Sequence, residues 1–265
     1  MHKKYNILVP NINNNLIRFG RKADGGYIVD KKIALKSNYL ISFGLGDDWS
    51  FELDFLKFNK NSKIYIYDHT VNVFQFLSPF LKNLRRFITL RSSFTNLYNS
   101  YLKLKNYLYL LNIKQIFFYR KKVTSTVKAR NQINIPIIIS RLKKESRLVV
   151  KCDIEGDEYK IINQIIKHAN QIEMLIIEFH HLDKKEKKFL KIIDRLRSYF
   201  FIIHIHGNNH CEQLKSGLPI VIEITFANKR NKDNYFKKRF TFPSKKLDFP
   251  NNPYKKDLKM VFKKK

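Results

Sequence analysis

One stretch narrows the folds open to this chain more than any other. Arg147-Leu148-Val149-Val150 leads into Lys151-Cys152-Asp153-Ile154-Glu155-Gly156-Asp157-Glu158-Tyr159, after which Ile161, Ile162, Ile165 and Ile166 follow at helical spacing. The first part reads as a short buried strand, apolar and partly β-branched. The isoleucine spacing starts a helix near Glu158. A strand that turns through a glycine into a helix is the unit of an α/β sheet, and ligands bind at the carboxyl ends of such strands. Four of the chain's 22 acids fall in the six residues from Asp153 to Glu158, although the formal net charge is +30. Asp157 and Glu158 suit the positive end of the helix that follows. Asp153 and Glu155 remain as candidates for holding a cation, a hydroxyl or a metal.

The same punctuation occurs earlier. Tyr39-Leu40-Ile41-Ser42-Phe43 reads as the first core strand and runs into Gly44-Leu45-Gly46-Asp47-Asp48, with a helix from Trp49 to Phe58. Glycines at such a bend let backbone come close to a nucleotide moiety. The full G-x-G-x-x-G fingerprint is absent. The chain has only eight glycines, and Gly44, Gly46 and Gly156 all stand at strand-to-helix turns. The next strand, Ile64 to Tyr67, ends at Asp68, 22 residues after Gly46. That is close to the interval of about 20 expected for a carboxylate that binds ribose.

The remaining chain fills out one domain, residues 1–265. Residues 1–38 read as an N-terminal extension whose turn, Asp24-Gly25-Gly26, starts a hairpin strand at Tyr27-Ile28-Val29. Arg18, Arg21 and Asp24 either serve that hairpin alone or line the mouth of the site. A helix over 71–81 and a strand over 86–90 would complete a first βαβαβ half, leaving 91–140 as an insertion. Within the insertion 102–111 reads as a helix and 115–119 as a strand. Met174 to Phe179, Phe201 to Ile205 and Pro219 to Phe226 read as strands five to seven, with a helix over 183–199. The short link between the last two suits an antiparallel hairpin. Residues 228–265 form a basic tail that wraps the surface and frays at Lys263-Lys264-Lys265.

Composition excludes some classes. A hydrophobic content of 44% belongs to a globular chain. No apolar run approaches the roughly 18–20 residues of a membrane span, and the start is too short for a signal-peptide core. Cys152 and Cys211 give neither a disulfide framework nor a paired metal spacing, so a cytoplasmic protein is expected. The 52 Lys and Arg favour polyanions or an anionic membrane surface, and a peripheral place at the inner membrane face. Richness in Asn and Ile leaves open that genome composition inflates the lysine count.

The blocks SFGLGDDWSFELD, IYIYDHT, KCDIEGDEYKII and IIEFHH, in this order, resemble the FkbM-type methyltransferases. RFGRKADGGYIV and HIHGNN resemble a related methyltransferase-like branch, and the matching blocks run from Arg18 to Phe226. The loop lacks a third glycine, and Asp157 stands where alanine is common. The resemblance implies a seven-stranded, mostly parallel Rossmann-like α/β sheet with helices on both faces and an antiparallel last strand. It also implies S-adenosylmethionine as cofactor and methylation of a hydroxyl on a sugar, polysaccharide or related small molecule. Carried over position by position, Phe43, Gly44, Gly46 and Asp48 would lie along the methionine part. Asp68 would hold the ribose, and Asp153 would sit beside the methyl group.

A hydroxyl is a poor nucleophile and needs a base or a metal. Asp153, Glu155, Glu178, His180 and His206 all stand at expected strand ends, which converge in a parallel sheet. His180 or His206 would take the proton, with Asp153 or Glu155 orienting it. Alternatively Asp153, Glu178 and His180 would hold a divalent metal. An RNA-directed methyltransferase and a non-catalytic nucleotide- or polyanion-binding module on the same fold remain rivals. A nicotinamide-dependent dehydrogenase is disfavoured by the missing glycine.

Overall fold

The computed structural model describes residues 1–234 and 237–263, with only the backbone of 232–234. Seven strands form the central sheet: β1 (Tyr39–Phe43), β2 (Lys63–Tyr67), β3 (Ile116–Tyr119), β4 (Leu148–Cys152), β5 (Ile172–Phe179), β6 (Phe200–Gly207) and β7 (Ile222–Asn228). Their spatial order is β6-β7-β5-β4-β1-β2-β3. β1 to β5 pair in parallel, and β7 runs antiparallel between β5 and β6. The expected α/β class, the seven strands and the antiparallel last strand are all present.

The central strands β1, β4 and β5 read as mostly apolar runs because both faces are covered. Along β4, Leu148, Val150 and Cys152 join one core while Val149 joins the other. The first core is closed by α4 (Glu158–Lys167) and α5 (Leu182–Leu196) through Ile161, Ile165, Phe189 and Ile193. The second is closed by α1 (Ser50–Phe58) and by a helical hairpin of α2 (Val73–Ile88) and α3 (Phe94–Leu111). Burying each such Ile or Phe stabilises the fold by about 1.5–3 kcal/mol. An acid at Ile161 would therefore break the α4 face.

Three expectations change. Residues 86–88, expected in a strand, are the last turn of α2. Phe76, Phe80 and Phe87 recur at helical spacing and pair with Tyr107, Tyr101 and Phe94 of α3, so that stripe needs a partner helix rather than a sheet edge. The region 91–140 is accordingly more than an insertion, because it supplies the edge strand β3. The tail does more than wrap the surface: Phe242, Met260 and Phe262 enter the first core, and Asp248 and Asn251 are buried. The end at Lys264-Lys265, expected to fray, lies outside the described residues. The N-terminal hairpin forms as expected, Leu16–Phe19 against Tyr27–Asp30.

The sheet order reverses between β1 and β4, which is where a crevice opens in an open α/β sheet. Gly44 leaves β1 there at φ 81°, and a Cβ on it would lie 1.7 Å from the Asp153 carbonyl oxygen. Only glycine fits, so the first bend and the acidic corner are pressed together.

Candidate active site

Register places the polar residues before any side chain is considered. Cys152 of β4 stands opposite Ile177 of β5, Glu178 opposite Glu223 of β7, and Glu223 opposite His206 of β6. Asp153, Glu178, Glu223 and His206 thus form a row across four strand ends. A cleft of about 390 Å³ opens beside this row, lined by Tyr67, Asp68, Lys122, Asp153, Glu155 and Asp157 among others. That volume lies within the range of small-molecule sites. The bend at Gly44, the acid after β2 and the corner after β4 share one end of the sheet.

The glycine loop is fastened from three sides. Lys151 Nζ donates to the Gly44 carbonyl at 3.1 Å and pairs with Glu52 at 3.2 Å. Both side chains are buried, and Glu52 also accepts from the Ser42 hydroxyl at 2.6 Å. Asp68 Oδ2 accepts from Leu45 N at 2.8 Å and Gly46 N at 3.2 Å. Its Oδ1 accepts from the Thr70 amide and hydroxyl at 2.7 and 2.6 Å. A carboxylate has about four acceptor positions, so those of Asp68 are engaged within the protein. Burial works against its charge, but these hydrogen bonds outweigh that and hold its pKa below the usual value. Asp47 pairs with Lys103 of α3 at 2.8 Å, and Asp48 pairs with Arg21 and accepts from Ser50 at the start of α1.

At the acidic corner Glu155 and Gly156 both take left-handed backbone, φ 54° and 97°. A non-glycine residue held there is uncommon and marks a shape that its surroundings enforce. Glu158 enforces it: its buried Oε2 accepts from Gly156 N at 2.8 Å, and its Oε1 accepts from His180 N at 2.9 Å. This acid, expected only to favour a helix end, pins the β4 turn to the end of β5. Asp157 instead pairs with Lys122 and Lys160.

His180 lies at the centre of this corner, 7% exposed. Its Nε2 is 3.5 Å from Glu155, 3.8 Å from Asp153 and 4.0 Å from Glu178, and its Nδ1 is 3.6 Å from Glu158. Burial strips protons from such a ring, but Glu158, Asp153 and Glu155 outweigh it and raise the pKa above the ordinary value. Asp153, Glu155 and His180 each offer a ligand atom, all within 4.8 Å of one another. The expected metal set named Glu178 with Asp153 and His180; in this group of three Glu155 stands in its place.

Glu178 has a different task. The Tyr27 hydroxyl lies 3.0 Å from Asp153 Oδ2 and 3.2 Å from Glu178 Oε2. One hydroxyl hydrogen cannot serve both, so one carboxyl must carry a proton. Burial raises the pKa of both acids, that of Glu178 well above the usual range, so of the two Glu178 favours the neutral form. A neutral acid is a poor metal ligand.

His206 does not join His180. It is 1% exposed, with Nδ1 at 3.3 Å from Glu223 and Nε2 at 3.0 Å from Asp257 of the tail. Burial opposes its charge, yet Asp257 and Glu223 overcome this and raise its pKa to about 10. A charged imidazole with both nitrogens engaged cannot accept a proton at neutral pH, which removes the expected role as base.

Several residues in this network carried no functional expectation: Tyr27, Lys151, Glu158, Asn208 and Asn251. Asn208 Nδ2 donates to Glu178 at 2.9 Å, and Asn251 Nδ2 donates to Glu223 at 2.6 Å and to Asp24 at 3.0 Å. Asn208 belongs to the HIHGNN block and could have been singled out from it. Asn251, in a proline-flanked tail, had no signal. Arg18 donates to the Arg21 and Ala23 carbonyls and holds the hairpin turn.

No protein-family model and no curated protein matches this chain. Among solved structures it is similar to one of a fibrillarin/Nop5p complex, with 10% identity, a TM-score of 0.40 and coverage of 72% of this chain and 73% of that one. It is similar to precorrin-6y C5,15-methyltransferase from Geobacter metallireducens, with 11% identity, a TM-score of 0.38 and coverage of 75% and 86%. Spermidine synthase from Thermotoga maritima gives 11%, 0.39, and coverage of 75% and 56%. The functional reading rests on this chain's own residues.

Proposed function

We propose that this protein is an S-adenosylmethionine-dependent methyltransferase acting on a hydroxyl of a sugar, polysaccharide or related small molecule. The observation that carries the reading is a cleft at the reversal of the sheet order, lined by Asp68 and the Asp153 corner, with the Gly44 bend packed directly against Asp153. When bound, the cofactor supplies an electrophilic methyl group on a sulfonium. Gly44 and Gly46 give it a backbone wall without side chains. Asp68 would receive the ribose hydroxyls by releasing the Thr70 hydroxyl while keeping its bonds to Leu45 and Gly46. Asp153, which accepts from the Tyr27 hydroxyl, faces the reacting end.

His180 Nε2 is the base in this reading. It would take the acceptor's hydroxyl proton as the methyl group passes in line to the oxygen, with Asp153 and Glu155 stabilising the resulting imidazolium. The closeness of Asp153, Glu155 and His180 supports a second form of the same reading, in which the three hold a divalent cation that lowers the hydroxyl pKa. Turnover after dialysis against chelator, with and without magnesium or manganese, separates the two. The primary test is calorimetric titration with S-adenosylmethionine, then incubation of the labelled cofactor with an extract of the source cell. Label is expected in glycan or a small hydroxylated product. Absence of cofactor binding overturns the reading, and label in RNA overturns the acceptor.

A further inference from the structure

The α2–α3 hairpin is the part of the molecule that the chemistry above does not use. From 69 to 144 the chain has 15 Lys and Arg and no Asp or Glu. The hairpin takes up much of this stretch and carries an outward apolar surface. On α2, Phe74, Leu81 and Ile88 recur every seventh residue on an exposed line, distinct from the inner line of Phe76, Phe80 and Phe87 that meets α3. At the tip Leu90 is 93% exposed in left-handed backbone, Ile88 is 72% exposed and Phe94 64%. Lys82, Arg85, Arg86 and Arg91 surround this surface, and none pairs with a carboxylate among the described residues.

Contiguous exposed apolar surface marks a contact site. Its chemistry selects the occupant. Phe74 and Phe94 carry ring faces, but Leu90 and Ile88, the two most exposed side chains of the surface, have none to stack on bases, which weakens a nucleic-acid reading. A second copy of this chain would set six basic residues, Lys82 to Lys105, against the same six. Large apolar side chains flanked by arginines match the boundary between lipid headgroups and acyl chains, where anionic phosphates meet the cations. No helix among the described residues is long and apolar enough to cross a membrane, so contact by the hairpin would stay at the surface.

We propose that the α2–α3 hairpin docks on an anionic lipid bilayer, with Ile88, Leu90 and Phe94 entering the interface and Arg85, Arg86 and Arg91 holding the phosphates. The root of the hairpin packs Phe76 and Tyr107 on Trp49, and Lys103 pairs with Asp47, so docking by the tip would tether the glycine loop within about one hairpin length, roughly 20 Å, of the lipid surface. The inference is independent of the reaction assigned to the cleft.

The test is flotation of the full chain with phosphatidylcholine vesicles, with or without 30% phosphatidylglycerol as a chosen composition of about that amount. Binding is expected only with the anionic lipid and is expected to weaken at high salt. Each basic residue near such a surface contributes about fivefold, so Arg85→Ala/Arg86→Ala/Arg91→Ala should cost roughly a hundredfold. Ile88→Ser/Leu90→Asn, which keeps every charge, should cost on the order of tenfold. Removing the same charge elsewhere, as Lys184→Ala/Lys187→Ala/Lys191→Ala on α5, should cost about threefold or less. Unchanged thermal melting verifies that the exposed substitutions leave the fold intact. The proposal is overturned if the α5 variant loses as much as the hairpin variant, or if the tip variant binds like the parent. It is also overturned if the hairpin substitutions abolish self-association or binding to a short RNA duplex while vesicle binding persists.

Discussion

His180 and His206 stand at the carboxyl ends of neighbouring parts of one sheet, each buried and each among carboxylates. Their surroundings make them opposites. The tail brings Asp257 to His206, so that ring has an acid on each nitrogen and a pKa raised to about 10. Nothing among the described residues crosses over His180 in the same way. Its Nε2 faces Asp153, Glu155 and Glu178 at 3.5 to 4.0 Å, beyond good hydrogen-bond distance, and Glu155 is exposed. One cluster is closed by matching charges and stabilises the fold. The other carries excess negative charge beside a cleft, an arrangement that leaves room for a substrate hydroxyl, a sulfonium or a metal.

Substitution should separate the two most sharply in turnover. His180→Ala is expected to lower methyl transfer by roughly 10²–10⁴-fold, the range for loss of a general base, with cofactor affinity unchanged by calorimetry. His206→Ala should leave turnover per folded molecule near the parent's. Equal losses in both would abolish the distinction.

The reverse contrast is expected in stability. His206→Ala leaves Glu223 and Asp257 facing each other in the interior and should cost about 3–5 kcal/mol in denaturant unfolding. His180→Ala should cost about 1 kcal/mol or less, because its ring makes no close hydrogen bond.

The pH dependence sharpens the comparison. With a folded pKa of about 10 against about 6.5 unfolded, His206 contributes its full stability below pH ~6.5 and loses it as pH rises through ~10. Unfolding at pH 6 and pH 9.5 should show a gap between parent and His206→Gln that narrows at the higher pH. A constant gap would show that the ring is not charged in the fold.

A smaller effect is expected at Tyr27. Phenylalanine there removes the hydroxyl between Asp153 and Glu178, and turnover should fall by about three- to tenfold with little change in melting temperature. No effect on turnover would mean that the shared proton is irrelevant to Asp153.

The sheet could be read from the chain to a large extent because parallel strands buried on both faces leave near-continuous apolar runs, as in β1, β4 and β5. The misread strand at 86–90 shows the limit. Phe87 and Ile88 look alike as apolar neighbours, and only the partner helix reveals that one packs on Phe94 while the other is left to solvent. In the site, Gly44, Asp68, Asp153 and His180 were legible because strand-to-helix turns advertise them. Tyr27 and Asn251 were not, since each reaches the site from an element far away in sequence, and Lys151 was not because its partners, Gly44 and Glu52, lie 107 and 99 residues earlier.

What the chain determines by itself is local: where strands end, where glycine must bend, and which acids stand at the bends. Whether an acid or a histidine is free to act depends on charges brought from elsewhere. Asp257 lies 51 residues beyond His206, and only the fold sets it on that ring. Electrostatic interactions act through space and are governed by burial, so the same residue types become a fastening in one place and a reactive corner in the other.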